Sequence, residues 1–187
     1  AGKLYNVNKQ MTAAPTDDSA CITFGCVGDQ QLGLTMAPNV RTALSGKLEY
    51  SVGGGEWSPI ESSDFDTYNM FWISFGGSLG DLRLRGKSSL GTAITATEIT
   101  RICFWEEEHD VTCTGDIRTL IDWENYETVS TSDARFRGLF DGCDILISAP
   151  DLPATELASH CYDGMFKDCT NLVDGPDELP ATHLPES

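Results

Sequence analysis

The chain is short of cations: 12 Lys and Arg stand against 29 Asp and Glu in 187 residues, a net charge of −17. A surface that acidic repels phosphate backbones, which excludes nucleic acid as a partner. No apolar run approaches the roughly 18 residues of a membrane-spanning helix, so no transmembrane span is expected. There are three histidines, no CxxC pair, and no P-loop, dinucleotide or H-E-x-x-H pattern. The many serines lack a convincing His/Asp partner. With those patterns missing, no cofactor is expected and nothing points to an enzyme. The chain opens AGKLYNVNKQ, without an initiator Met or a charged-then-apolar leader. A targeting segment is therefore expected to have been removed, with Ala1-Gly2 a remnant.

What is present is mostly strand. No helical 3.6-residue pattern of useful length occurs before residue 115, whereas ACITFGCV (20–27), MFWISF (70–75), TRICFW and DVTCT are rich in strand formers. KLEYSVGGGEWSPI (47–60) reads as a hairpin around Gly53-Gly54-Gly55, with Leu48, Tyr50 and Val52 inward. DLRLRG (81–86) alternates, Leu82 and Leu84 facing in, Arg83 and Arg85 facing water. Six or seven short strands between Gly, Ser, Asp and Pro clusters predict a mainly β chain with an Ig-like β-sandwich over 20–114, after a polar arm at 1–19. GDIRTLID (115–122) then reads as a short helix or strand, followed by a polar linker. Charge divides at about the same place. Residues 1–105 carry 10 carboxylates and 8 cations, residues 106–187 carry 19 and 4. That asymmetry suggests a second module over 115–187.

The second module is written twice. A shift of 26 pairs Phe136 with Tyr162, Gly138 with Gly164, Leu139 with Met165, Phe140 with Phe166, Cys143 with Cys169, Leu146 with Leu172 and Pro150 with Pro176. After one extra residue, DLPATEL (151–157) matches ELPATHL (178–184). A unit of this length cannot bury its apolar face alone, but stacked copies share a core. Phe140 over Phe166 and Leu146 over Leu172 are the expected ladders, with Cys143 and Cys169 filling tight turns as structural thiols. The prolines fix an extended return segment.

The block LFDGCDILISAPDLPATELASHCYDGMFKDCTNLVDGPDELPAT resembles the leucine-rich repeats of BspA-like surface proteins of gut and oral Bacteroidetes. Their units run as an aromatic, then (M/L)F-x-x-C-x-x-L, then A-P-x-L-P-A-T. The likeness covers about 133–184. A fainter one reaches upstream, where LEYSVGGGEWSPI and LRLRGKSS are similar to the sandwich that often precedes such repeats, and CTGDIRTLID to its lead-in. Two departures stand out: VDGP replaces the usual Ala-Pro, and two units are present where arrays usually need three or more. Either the sandwich caps the short stack or further units have been trimmed.

Several clusters invite a chemical reading. WEEEHD (105–110) offers carboxylates for a hard cation or a glycosidase pair, but adjacent residues point in different directions, and a solvated hairpin tip is the better expectation. Cys103, His109 and Cys113 would be zinc ligands only with a fourth partner. A hairpin turning at Glu106–Asp110 would set Cys103 opposite Cys113, leaving a cross-strand disulfide and two free buried thiols both open. Cys21 and Cys26 point to opposite strand faces roughly 16 Å apart and cannot bridge. His160 and His183 stand alone. Among aromatics, Trp72 reads as core, Trp57 as hairpin packing or a sugar-stacking platform, and Tyr68 and Trp105 as further binding candidates. No metal site is assigned.

The resemblance implies an exported, cell-surface or secreted adhesion protein, on the bacterial outer membrane surface and with lipid anchoring as one route, that binds host or neighbouring-cell macromolecules through a protein or glycan ligand. Two other readings stay open: a carbohydrate-binding accessory module of a glycan-utilisation system, and an architectural stalk. Exposed aromatics on the sandwich would favour glycan capture.

Overall fold

The computed structural model describes residues 18–182, so nearly all of the polar arm and His183 lie outside the described residues. Within them the chain is mainly β: two antiparallel sheets, two short α-helices and three single-turn 3-10 helices. In chain order the elements are β1 Ile22–Cys26, β2 Asp29–Met36, α1 Pro38–Leu44, β3 Leu48–Val52, β4 Ser58–Pro59, β5 Met70–Gly76, β6 Leu82–Gly86, β7 Thr100–Phe104, β8 Val111–Thr114 and α2 Thr119–Asp122. One sheet has the order β4-β3-β6-β1-β8, the other β5-β2-β7.

Period-two alternation sets what each sheet buries. Ile22 and Phe24 of β1, Leu82 and Leu84 of β6, and Val111 and Cys113 of β8 belong to the same core as Leu32, Leu34 and Met36 of β2, Ile73 and Phe75 of β5 and Ile102 of β7. Phe24 sits at its centre. Its ring meets Phe104 of the other sheet edge-on at 5.9 Å and Phe140 of the first repeat copy at 6.2 Å.

Three local expectations change. α1 precedes residue 115, and its seven residues, with Val40 and Leu44 buried one turn apart, are too few to show a helical period. Arg85 does not face water. It is 8% exposed, bonds Glu49 at 2.6 Å, and its guanidinium lies 4.0 Å from the Trp57 ring and 3.8 Å from the Trp123 ring. And β7 and β8 are not a hairpin. They sit on the edges of different sheets, so 105–110 is a crossing between sheets.

That crossing explains how the repeats attach. An open sheet edge has unpaired backbone groups that need covering. The first copy covers both: the Ile102 N–H on β7 donates to the Leu139 carbonyl at 2.8 Å, the Val111 N–H on β8 to Ile145 at 2.9 Å, and the Ile147 N–H returns a bond to Val111 at 2.9 Å. The second copy lies on the first. N–H groups of Phe136, Gly138, Phe140 and Gly142 donate to carbonyls of Cys161, Asp163, Met165 and Lys167 at 2.7–3.1 Å. Phe140 stacks on Phe166 with centroids 5.4 Å apart and planes 1° from parallel, and Phe136 stacks on Tyr162. Each repeat cysteine ties its layer to the one before, Cys143 Sγ donating to the Ile102 carbonyl at 3.2 Å and Cys169 Sγ to the Phe140 carbonyl at 3.0 Å. Leu146 is fully buried and Leu172 partly so, both in the shared cluster.

The expected division at 114/115 is therefore not a gap in packing. Asp116 N–H donates to the Ala20 carbonyl at 2.9 Å, and Gly115, at φ +97°, lies so close to Cys21 that a Cβ would meet its carbonyl oxygen at 2.2 Å. Only glycine fits that approach. No helix among the described residues is long and apolar enough to cross a membrane.

Candidate functional site

The inner faces of the sheets are filled, and the outer face of the five-stranded sheet is occupied where Trp57 lies. Trp57 Nε1 donates to Asp18 at 3.2 Å, and Arg83 and Arg85 sit over its ring at 5.1 and 4.0 Å. Its indole is engaged in packing and cation–π contact within the molecule.

The outer face of the three-stranded sheet differs. Alternation turns Gln31, Gly33 and Thr35 of β2 outward, with Met70, Trp72 and Ser74 of β5 and Arg101 and Cys103 of β7 alongside. Gly33 is a notch: a Cβ there would meet the Trp72 ring at 2.7 Å and Cys103 Sγ at 2.8 Å. A mid-strand glycine marks such a close approach. Trp72, expected in the core, thus lies half-buried on this outer face, its ring perpendicular to that of Trp105 at 5.5 Å and 89°. Trp105 is 63% exposed.

A buried amide holds Trp105 in place. Gln30 is 2% exposed; its Oε1 accepts the N–H groups of Trp105 at 3.1 Å and Glu106 at 2.9 Å, and its Nε2 donates to the Glu106 carbonyl at 2.8 Å. The Trp105 N–H also reaches the Gln31 carbonyl at 3.0 Å. Beside the indole runs an open groove of about 490 Å³ lined by Asp29, Gln31, Ser74, Leu79 and Glu106. Gln31 Nε2 donates to Ser74 Oγ at 3.1 Å across its floor.

The other candidates are scattered. Tyr68 is 85% exposed in the turn before β5, at the strand end away from Ser74. Glu106, Glu107, Glu108 and Asp110 are exposed on the crossing, and the His109 ring packs on Gly28. Cys103 and Cys113 are both free thiols, which closes the disulfide alternative: their strands belong to different sheets, so the hairpin that would have opposed them does not form. Burial pushes both thiols above the usual cysteine range, and Cys161 up to about 11, so they are poor nucleophiles. Cys143 and Cys169 are raised too, again chiefly by burial. Among the described residues no group of three or more His, Cys, Asp or Glu is arranged to hold a metal ion. His160 faces Asp163 at 3.4 Å on the surface.

Sequence reading missed Gln30, Gln31, Gly33 and Ser74. A signal for the three on β2 exists in DQQLGLTM: Leu32, Leu34 and Met36 alternate with Gln31, Gly33 and Thr35. Compared with protein-family models, curated proteins and solved structures, the chain matches none. Its function has to be argued from these side chains.

Proposed function

We propose that the chain is a non-catalytic recognition protein, an Ig-like β-sandwich continued by a short leucine-rich repeat stack of the BspA-like kind, exported to a bacterial surface, where it binds macromolecules of host or neighbouring cells. One observation carries the reading. A largely exposed tryptophan, backed edge-to-face by a second, is fixed by a buried glutamine on a sheet face that no described residue covers. Exposing an indole forgoes roughly 1.5–3 kcal/mol of burial, and a buried amide spent on positioning its backbone indicates a surface prepared for contact. The repeat stack supports the same reading. It closes the two sheet edges on one side and leaves the Trp72–Trp105 face clear.

Binding of the purified protein to immobilised mucin, to laminin and to whole bacterial cells tests this. Wild type should bind at least one of them, and Trp105→Ala should lose most of that binding while keeping the wild-type melting curve. Binding to none of the three, or equal binding by Trp105→Ala, would overturn it.

A further inference from the structure

Resting on that reading of the outer face, we infer that its ligand is a neutral glycan, one pyranose ring of which stacks on Trp105 while its hydroxyls enter the neighbouring groove. A perpendicular pair of rings leaves a face free in either sense. If the edge of Trp72 meets the Trp105 face, the opposite Trp105 face remains, and if the Trp105 edge meets the Trp72 face, both remain. The 63% exposure of Trp105 places that face in water. A flat, fixed aromatic surface suits the apolar C–H face of a pyranose, whose ring is likewise flat and rigid, so little conformational freedom is lost on either side.

The groove supplies what the hydroxyl rim needs. The Gln31 side-chain amide donates to Ser74 Oγ, which leaves Gln31 Oε1 and the Ser74 hydroxyl proton as an acceptor and a donor side by side. Asp29 and Glu106 add carboxylate acceptors, and Leu79, 48% exposed, adds an apolar wall. The volume of about 490 Å³ falls inside the ~300–1,000 Å³ range of small-ligand sites. Charge then selects among glycans. Asp29 and Glu106 line the groove, Glu107 and Glu108 follow directly, and Arg101 on the same face is already paired with Asp141 at 3.0 Å. A sialylated, sulfated or uronic sugar would bring a second negative charge into that field; a neutral one would not.

The experiment is a glycan array of neutral, sialylated and sulfated oligosaccharides, followed by calorimetric titration with the strongest neutral oligosaccharide on it. Hits confined to neutral glycans are expected. Trp105→Ala should weaken binding at least roughly tenfold and Gln31→Ala about threefold, while Tyr68→Ala leaves it unchanged. An array with no hits, hits confined to anionic glycans, or neutral binding that survives Trp105→Ala would overturn the inference. If the array is blank yet Trp105→Ala abolishes binding to mucin, laminin or cells, the glycan class falls and the recognition role stands. If Trp105→Ala alters neither assay, both fall.

Discussion

The two repeat copies share one sequence pattern and live in different surroundings. In the first, Phe140 is fully buried, with Phe24 on one side and Phe166 on the other, and Cys143 and Leu146 are buried with it. In the second, Phe166, Cys169 and Leu172 are each only partly buried. Equivalent residues are therefore not energetically equivalent. Stability in this region is handed outward from the sheet edges, and the copy that touches β7 and β8 carries more of it.

The comparison breaks most readily at the aromatic ladder. Phe140→Ala should cost about 3–5 kcal/mol, the range for a large cavity in a closed core, and Phe166→Ala about 2 kcal/mol, since water already reaches part of that ring. Chemical denaturation of both variants checks the pair; equal losses would mean that the copies contribute alike. The cysteines give a smaller version of the same contrast. Cys143→Ala removes a fully buried thiol and its bond to the Ile102 carbonyl and should cost about 1.5–2 kcal/mol; Cys169→Ala should cost under about 1 kcal/mol.

The smallest effect lies on the acidic side of the stack. Partial desolvation, with Asp177 and Asp116 nearby, raises Asp151 above the usual carboxylate range. A carboxyl whose folded value is raised favours the protonated form in the folded state, so its ionisation costs stability at neutral pH and that cost disappears as pH falls below the ordinary carboxylate value. Asp151→Asn should therefore raise the melting temperature slightly at pH 7 and have no effect near pH 3. A benefit that persists at pH 3 would assign the gain to something other than charge.

The same contrast separates what the sequence made legible from what it did not. Strand-forming runs mark β1, β3, β5, β6, β7 and β8, and the duplication stands out because like residues recur in register. Local pattern reports alternation, not partner. TRICFW and DVTCT around an acidic turn look like a hairpin, and nothing within them says that one strand belongs to each sheet. β2 was missed because its outward residues are Gln, Gly and Thr, and a glycine within a short run looks like a break until a tryptophan is seen lying across it. Trp72 and Arg85 were placed on the wrong side of the surface for a related reason: an indole was assumed to seek the core and a guanidinium the solvent. Here Trp72 covers a glycine notch from outside, and Arg85 is enclosed by two indoles and a carboxylate. Of the candidate site, Trp105 alone reads from sequence as a binding residue, with Glu106 read as a solvated turn and Trp72 as core, because the groove is assembled from three segments that meet only in the folded chain.

The ladder between the copies has a direction. All four alternate N–H groups of the first copy point toward the second, and their counterparts on Tyr162, Gly164, Phe166 and Asp168 make no hydrogen bond among the described residues. Among the described residues the outer face of the second copy is thus a row of donors. Two such faces brought together would present hydrogen to hydrogen, so the polarity of the coil itself opposes pairing of two copies through this face.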